Sequence, residues 1–261
     1  MFKRIALFIS CLSSAFVSGE EVNLSKYEKS LFSSHGEDGV LAKIFQLIPA
    51  SSRTCVELGA GDGMNGSMTY ILKRQGWKCL LIDRAYDRPE IGLHKDFITA
   101  ENINLILEAY QFPHDSDLFV VDIGYNNFHI WRALHADYRP KVVVIGFNSQ
   151  HAPNEDKVVK YRPLYCGDAS NYFSASILAF DQLAKSKGYS LIYAEQTGSN
   201  LFFVRDDCLD AKNFTFSNSD SIEKIYTNSL SKRASGNGST PDPKNRPYLT
   251  AKSLLESGEE K

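Results

Sequence analysis

Residues 54–63 read Thr54-Cys55-Val56-Glu57-Leu58-Gly59-Ala60-Gly61-Asp62-Gly63, an apolar strand pattern that ends in an acidic residue and a glycine-rich turn. A helical stretch follows, and Asp83 then closes a second apolar run, residues 79–82. Glycine lets the backbone of such a turn approach a ligand closely, and the N-terminus of the next helix adds a positively polarised edge. In doubly wound nucleotide-binding folds, an acid at the end of the second strand accepts hydrogen bonds from ribose hydroxyls. The pattern therefore predicts a nucleotide-type site, with Asp83 on the ribose.

The rest of the chain predicts strands and helices that alternate. Continuous apolar runs such as Val142-Val143-Val144-Ile145 are typical of strands covered on both faces, and hence of a central parallel sheet. The last two strand candidates are separated only by residues 196–199, which are too few for a crossover helix, so an antiparallel hairpin is predicted. The strand candidates are residues 54–58, 78–83, 97–100, 118–123, 142–147, 190–195 and 200–205, and the helix candidates are residues 67–75, 101–110, 127–136 and 173–187.

These elements predict an α/β fold whose core is a seven-stranded, mostly parallel sheet with an antiparallel edge strand and helices on both faces. Five alternating β/α units that end in a hairpin are the architecture of Rossmann-like methyltransferases. With 261 residues, 43% of them hydrophobic, the chain is long enough for one large domain and a short tail. We predict the domain over residues 20–226. Residues 227–261 are rich in Ser, Gly, Pro and Lys, which predicts a flexible polar tail.

The N-terminus has the pattern of a secretory signal peptide. Phe2-Lys3-Arg4 supplies a short basic region, residues 5–17 are mainly apolar and small, and the charged pair Glu20-Glu21 follows. We predict a signal peptide over residues 1–19 and a secreted or exported protein, in the periplasm, the extracellular space or the ER lumen. The apolar run is too short for a stable membrane span. An uncleaved anchor or a membrane-surface segment is the alternative.

Charge and cysteine content narrow the choice of partners. A formal net charge of −2 gives no electrostatic case for a nucleic-acid partner, so a small-molecule substrate is predicted instead. The spacing of Cys and His predicts no metal site.

Cys55, Cys79, Cys166 and Cys208 follow the leader, an even number that suits an oxidising compartment. Cys55 and Cys79 lie in predicted core strands, where cysteine is more often a small buried hydrophobe. The sequence leaves the oligomeric state open.

Several segments resemble, in their order along the chain, a family of S-adenosylmethionine (SAM)-dependent methyltransferase-like proteins related to the FkbM type. The residues that carry the resemblance are Ser34-His35-Gly36-Glu37-Asp38-Gly39 before a helix, residues 56–63, and Gly76-Trp77 before the second strand. Further matches are residues 99–103, 117–118, 122–123, 138–145, 174–176, 187–189 and 198–204. The resemblance extends from about residue 30 to residue 206.

The resemblance implies SAM as the cofactor. Glu57, Gly59 and Gly61 would bind its methionine end, Asp83 would bind its ribose, and the Glu101-Asn102-Ile103 segment would lie near the adenine. Each of these residues also has a purely structural interpretation. The glycines form a tight turn, the strand-end acids cap a helix or strand, and the acid before the third helix is stabilised by the helix macrodipole.

The chain departs from the family pattern where two strands end. After Asp122-Ile123 the family continues with an acid, a glycine, an asparagine and another acid, whereas this chain has Gly124-Tyr125-Asn126-Asn127. The strand over residues 142–145 is followed by Gly146 where the family has a glutamate. Carboxylates are thus lost at Gly124, Asn127 and Gly146. These positions lie at the carboxyl ends of strands, where doubly wound folds have their ligand-binding and catalytic residues.

The predicted catalytic residues are Asp122, Asn126 and His129. A general base typically contributes about a hundred- to ten-thousand-fold to a reaction that must remove a proton, and asparagine and glycine cannot supply it. Asp122 is the surviving acid and is predicted to act as the base or to orient the acceptor. His129 and His151 are the predicted substitutes. Methyl transfer itself mainly needs a nucleophile aligned with the sulfonium methyl group, so the lost acids do not exclude activity.

Two hypotheses of different class follow. The first is an active methyltransferase, specifically an O-methyltransferase acting on a small-molecule or sugar hydroxyl. The second is a secreted, non-catalytic binding protein that retains the fold, because SAM is made in the cytosol and an exported protein would usually lack it. An NAD-dependent oxidoreductase shares the glycine turn but is disfavoured by the terminal hairpin and by the matching segments far from the turn.

Overall fold

The structure, a computed structural model, describes residues 19–210, 213–229 and 240–257. Apart from Gly19, the predicted signal peptide over residues 1–19 lies outside the described residues and stays a prediction. Among the described residues, no helix has the length and apolar character needed to cross a bilayer.

Nine strands and seven α-helices make up the described part of the chain. The strands are β1 (Glu20–Val22), β2 (Thr54–Leu58), β3 (Lys78–Asp83), β4 (Leu93–Lys95), β5 (Leu118–Val121), β6 (Val142–Gly146), β7 (Tyr189–Ala194), β8 (Asn200–Arg205) and β9 (Phe214–Phe216). The helices are α1 (Glu37–Leu47), α2 (Tyr70–Arg74), α3 (Ile103–Ala109), α4 (Asn127–Ala133), α5 (Ile177–Lys187), α6 (Ile222–Ser229) and α7 (Ala251–Glu256).

A seven-stranded sheet in the order β4-β3-β2-β5-β6-β8-β7 forms the centre of the fold. Strands β4, β3, β2, β5 and β6 pair in parallel, whereas β8 is antiparallel to both β6 and β7. The predicted mostly parallel sheet and its terminal hairpin are confirmed. The reversed strand β8 lies one position in from the edge, because the crossover through α5 takes β7 to the edge and the short turn brings β8 back beside β6.

Helices cover both faces of the sheet. One apolar layer joins the strands to α3, α4 and α5 through residues such as Val143, Phe128 and Phe180. The other joins them to α1 and α2 through residues such as Val144 and Leu41. Successive residues of a strand point to opposite faces, so the continuous apolar run of β6 supplies both layers. This arrangement leaves the carboxyl ends of the parallel strands as the edge at which a site can form.

The fourth strand differs from its predicted position. The sequence predicts a strand over residues 97–100, but β4 precedes it and pairs with β3 through Leu81 and Leu93. Residues 97–100 form a loop, because the Asn102 side chain accepts a hydrogen bond from the Thr99 amide (2.7 Å) and donates one to the Phe97 carbonyl (2.8 Å). A side chain that bonds nearby backbone groups in this way competes with the sheet ladder.

The polar C-terminal segment is largely packed against the domain. Leu249 and Val158 exchange two backbone hydrogen bonds of 2.8 Å, and the Asp156 carboxylate accepts hydrogen bonds from the first amides of α7. The sequence predicts a flexible tail from residue 227, whereas α6 extends to residue 229 and residues 240–257 lie on the domain. Residues 230–239 and 258–261 of the predicted tail lie outside the described residues. Residues 240–257 are held by the apolar contacts of Ala251, Leu254 and Leu255 with the core and by hydrogen bonds and ion pairs, which the polar composition does not reveal.

Candidate functional site

A cleft opens at the carboxyl ends of β2, β3 and β5, the edge at which doubly wound folds bind ligands. Four of the predicted site residues line it, namely Gly59, Asp83, Asp122 and Asn126. The remaining lining residues are Ile82, Arg84, Asp96, Phe97, Ile98, Ile123, Tyr165 and Cys166. The structure thus brings together the ends of three neighbouring strands, the loop after β4 and the segment after β6.

The glycine turn after β2 passes directly over the end of β5. Gly59 has a φ of 88°, and a Cβ placed there would overlap the carbonyl group of Asp122. Gly61 has a φ of 55°, but a Cβ there would meet open space. Both positions adopt a left-handed conformation that glycine tolerates best, and Gly59 is in addition required by the close approach of β5.

Asp83 faces this turn. Its Oδ2 accepts a hydrogen bond from the Gly61 amide (3.0 Å), and its Oδ1 accepts one from the Ala85 amide (2.8 Å). A carboxylate oxygen has room for a second donor, so each oxygen keeps one acceptor site. The two oxygens of one fixed carboxylate suit a pair of neighbouring hydroxyl groups, such as those of a ribose.

Glu57 lies behind the cleft wall. It is only 2% exposed, and its carboxylate accepts hydrogen bonds from the Ser67 hydroxyl (2.6 Å), the Thr69 hydroxyl (2.6 Å) and the Met68 amide (2.9 Å). Desolvation by burial raises the pKa of Glu57, although these hydrogen bonds oppose the shift. The carboxylate therefore anchors the loop that leads into α2, and it is not among the residues that line the cleft.

The predicted adenine-side residues shape the loop rather than line the cleft. Asn102 fixes residues 97–100 through the two hydrogen bonds given above, and this loop contributes Phe97 and Ile98 to the cleft. Glu101 accepts a hydrogen bond from the Tyr161 hydroxyl (2.6 Å), which in turn accepts one from the Ala100 amide (2.8 Å). Glu101 thereby ties the loop after β4 to the segment after β6.

Asp122 lies in the cleft with an unusual electrostatic environment. The residue is exposed to solvent on the cleft side, while the protein atoms around its carboxylate desolvate it. This desolvation, reinforced by the charges of Glu57 and Glu37, raises the pKa of Asp122 to about 6, and only His35 acts in the opposite direction. Among the described residues, no hydrogen bond to its carboxylate is found. Asp122 is thus an available proton acceptor at near-neutral pH.

Asn127 and Gly146, two of the three positions where the resemblance implied carboxylates, are joined by hydrogen bonding here. The Asn127 amide group accepts a hydrogen bond from the Ile123 amide (3.0 Å) and donates one to the Gly146 carbonyl (2.8 Å). A Cβ at Gly146 would lie 2.7 Å from Asp122 Oδ1 and 2.8 Å from Asn127 Nδ2. An ionised carboxylate accepts but does not donate, so it would not replace the Asn127 amide. The departures at Asn127 and Gly146 therefore depend on each other.

Asn126 connects the cleft to the segment after β6. It is buried, its Nδ2 donates to the Arg162 carbonyl (2.8 Å), and its Oδ1 accepts from the Arg162 amide (3.4 Å). Both polar atoms of the Asn126 side chain are therefore hydrogen-bonded to the backbone of Arg162. Asn126 therefore positions the wall that contains Tyr165.

The two histidines predicted as substitute bases lie away from the cleft lining. The His129 ring is buried, and its Nε2 lies 2.8 Å from the Val159 carbonyl, so this nitrogen carries the proton. Burial lowers the pKa of His129 to about 4, and the pKa of His151 falls to about 4 for the same reason. Both rings are neutral at pH 7 and pack within the fold, so neither is placed to deprotonate a ligand in the cleft.

Sequence reasoning missed Tyr165 as a lining residue. Its ring packs edge-on against Tyr125 at 4.7 Å, and its hydroxyl accepts a hydrogen bond from Arg246 (3.3 Å). Arg246 also pairs with Asp168 and Asp242, each at 2.9 Å. These contacts join segments far apart in the chain, and no local pattern marks them. The C-terminal segment thus supports one wall of the cleft.

No protein-family model and no curated protein matches this chain. Solved structures with a similar fold include three methyltransferases. The small RNA methyltransferase HEN1 aligns with 64% of this chain at 11% identity and a TM-score of 0.36, and the chain spans only 24% of its length. A SAM-dependent methyltransferase from Bacteroides fragilis, in complex with S-adenosyl-L-homocysteine, aligns with 70% of this chain and 80% of its own length, at 13% identity and a TM-score of 0.35. One from Aquifex aeolicus aligns with 70% and 96%, at 12% identity and a TM-score of 0.31.

Such similarity is too remote to support an argument about ligand or activity. Across the described ranges, no three His, Cys, Asp or Glu side chains gather in a way that could hold a metal ion.

Proposed function

We propose that this protein binds SAM in the cleft and methylates a hydroxyl group of a small molecule or sugar, as an O-methyltransferase related to the FkbM type. The observation that carries the proposal is Asp83, which is fixed to the glycine turn by Gly61 and keeps acceptor sites toward the cleft. The carboxylate of Asp122 in the same cleft, for which the described residues offer no hydrogen-bond partner, is a group that can take a proton.

The residues present fit the parts of SAM. Asp83 would accept hydrogen bonds from the ribose hydroxyls, and the apolar side chains of Phe97 and Ile98 would pack on the adenine. Gly59 brings the backbone close enough for the methionine end to pass over the turn, with no side chain in the way. When bound, SAM supplies an electrophilic methyl group on its sulfonium sulfur.

Asp122 would act on the acceptor. A hydroxyl is a weak nucleophile until its proton is removed, and a base works best when its pKa is near the operating pH. The pKa of Asp122, raised to about 6, leaves the carboxylate ionised at pH 7 yet more basic than an ordinary aspartate. Its carboxylate oxygen would accept the proton that the acceptor hydroxyl loses when it is methylated.

The test is transfer of a labelled methyl group from SAM to a pool of sugars and hydroxylated metabolites. We expect wild-type protein to label a component of the pool and Asp83→Ala to lose the signal. Asp87→Asn is a matched control, since Asp87 is an exposed acid on the same segment that does not line the cleft. Equal labelling by wild type and Asp83→Ala would remove Asp83 from the site and the proposal with it.

A second candidate is a non-catalytic binding protein that keeps the fold. It is favoured by the closed network at Asn127 and Gly146, which uses for structure the positions where the family has acids. It also agrees with the predicted export of the chain. In that case S-adenosylhomocysteine or another nucleoside would bind, but no acceptor would be labelled.

A further inference from the structure

Cys55 and Cys79 lie side by side on the neighbouring strands β2 and β3, which end at the cleft. They are paired residues in the parallel register of β2 and β3, and their Sγ atoms lie 2.7 Å apart. Non-bonded carbon atoms pack best at about 3.5–4.0 Å, and sulfur is larger than carbon. The two sulfurs are therefore closer than packing of two small apolar side chains requires.

The backbone separation of the pair suits a covalent bond. Neighbouring strands lie about 4.7–4.9 Å apart, within the roughly 4.4–6.8 Å between Cα atoms that disulfides span. Both cysteines are reduced in the structure, and Cys55 is fully buried. Among the described cysteines no other pair of sulfurs is found in contact, and Cys166 is exposed in the cleft wall.

We propose that Cys55 and Cys79 form a disulfide when the chain folds in the presence of a disulfide donor. The bond would link β2 and β3 below the two groups that form the cleft, the turn at Gly59 and the carboxylate of Asp83. The proposal does not depend on methyl transfer, because it concerns the strands and not the ligand.

The reaction balances with an external disulfide, such as oxidised glutathione or the disulfide of a thiol oxidoreductase. The thiolate of Cys79, the more exposed of the pair, attacks that disulfide and releases one reduced thiol. The thiolate of Cys55 then attacks the mixed disulfide and releases the second thiol. The two cysteines are oxidised, the donor is reduced to two thiols, and the two cysteine protons pass to the departing thiolates.

The bond is expected to form early in folding. Burial raises the pKa of Cys55, and the neighbouring Cys79 and Glu57 add to the shift, so its reactive thiolate is rare once α1 and α2 cover the strand. Before these helices pack, both thiols are open to the donor. Protein folded under reducing conditions is accordingly expected to oxidise slowly, and protein refolded with the donor is expected to oxidise readily.

The experiment refolds the full chain in a buffer of reduced and oxidised glutathione, blocks free thiols with iodoacetamide under denaturing conditions, and maps the peptides by mass spectrometry. We expect the peptides of Cys55 and Cys79 to be linked, at the summed peptide mass less two hydrogen atoms. Cys166 and Cys208 are expected to be alkylated. Alkylation of both Cys55 and Cys79, or linkage of either to another of the five cysteines instead, overturns the proposal.

Thermal unfolding gives a second readout. Reduction is expected to lower the midpoint of the refolded protein by about 5–10 °C, since a cross-link of this kind stabilises mainly by constraining the unfolded chain. Cys166→Ser should keep this shift, whereas Cys79→Ala should lose it and remain folded, because a small apolar residue fits the half-buried position. An equal shift in Cys79→Ala would place the reducible bond elsewhere and contradict the proposal.

Discussion

The two halves of the cleft use their polar groups differently. At the ends of β2 and β3, Asp83 is held by backbone amides and still has acceptor sites that face the cleft. At the ends of β5 and β6, the amides of Asn126 and Asn127 are both used by backbone groups of the protein. Asp122 is the exception in this second half, since no partner of its carboxylate is found in the described part of the chain.

The two halves therefore differ in whether their polar side chains remain free to bond a ligand or are used to bond the protein backbone. The first half keeps acceptor sites of Asp83 that face the cleft, and its geometry follows from the glycine turn. In the second half, Asn126 holds the wall of the cleft that contains Tyr165. The C-terminal segment supports this wall through Arg246. We therefore expect substitutions in the two halves to have separable effects.

Gly59→Ala should be the most damaging change. Its φ of 88° is unfavourable for alanine, and the added Cβ would overlap the carbonyl group of Asp122. Strain and overpacking together should lower the free energy of unfolding by roughly 3–5 kcal/mol. Gly61→Ala is the matched control, because a Cβ there meets open space and only a left-handed cost of about 1–2 kcal/mol applies. Urea unfolding of both variants measures the difference, and equal losses would contradict the close approach of β5.

Asp122→Asn should separate activity from stability. If Asp122 is the base, methyl transfer should fall by about a hundred- to ten-thousand-fold, because the amide cannot accept the proton. Wild-type transfer should rise with pH through about 6, the pKa of this carboxyl group. A variant that keeps full activity, or a wild-type rate that is flat from pH 5 to 8, would exclude Asp122 as the base.

The same variant tests the pKa through stability. The pKa of Asp122 is raised in the folded protein, so between about pH 4 and pH 6 the native state holds a proton that the unfolded chain has released. The free energy of unfolding contributed by this group therefore falls as pH rises through that window. Asp122→Asn should be more stable than wild type at pH 7.5 by roughly 1 kcal/mol, a value reduced by screening from the cleft water, and equal to it below about pH 4. Urea unfolding of wild type and Asp122→Asn, at pH 7.5 and below about pH 4, measures this difference in the free energy of unfolding.

Gly146→Ala tests whether the second half is a closed network. The added Cβ would crowd Asp122 Oδ1 and Asn127 Nδ2, which lie 2.7 and 2.8 Å from its position. Overpacking should lower the free energy of unfolding by about 1–3 kcal/mol. Combining it with Asp122→Ala should recover part of that loss, and a double-mutant cycle measures the coupling. Strictly additive effects would show that the two positions are independent.

Arg246→Lys should have the smallest effect. Lysine keeps the charge near Asp168 and Asp242 but cannot reproduce the several hydrogen bonds of the guanidinium group. We expect a loss of about 1 kcal/mol in stability and faster hydrogen exchange confined to the segment with Tyr165 and to the C-terminal segment. Exchange that accelerates equally around Asp83 would contradict the separation of the two halves.

The sequence predicted the strands that end at the first half of the cleft because their signals are local. The bounds of β2, β3 and β8 agree with the apolar runs, and the glycine turn and Asp83 follow directly from them. Glu57 lies at the predicted place, in the strand before the glycine turn, but its carboxylate bonds Ser67, Met68 and Thr69. The sequence does not reveal these partners because they depend on the three-dimensional path of the loop before α2.

The second half was harder to predict because its contacts are distant in the chain. His129 is suitable chemically, yet its ring is turned to the Val159 carbonyl and loses its basicity by burial. Tyr165 and Arg246 are 81 residues apart in the chain, so their contact depends on the paths of the segment between β6 and α5 and of the C-terminal segment. The misplaced fourth strand has a similar cause, since the side chain of Asn102 decides the backbone of the loop before it.

The proposed nucleoside site in the first half of the cleft is built on Asp83. Titration calorimetry with S-adenosylhomocysteine is the decisive experiment, using wild type, Asp83→Ala and the control Asp87→Asn. We expect saturable binding by wild type and the control, and a loss of about tenfold or more in affinity for Asp83→Ala, because this variant would lack two charge-assisted hydrogen bonds to the ribose. Absence of binding by the wild-type protein at millimolar ligand, or equal affinity in all three proteins, would contradict it.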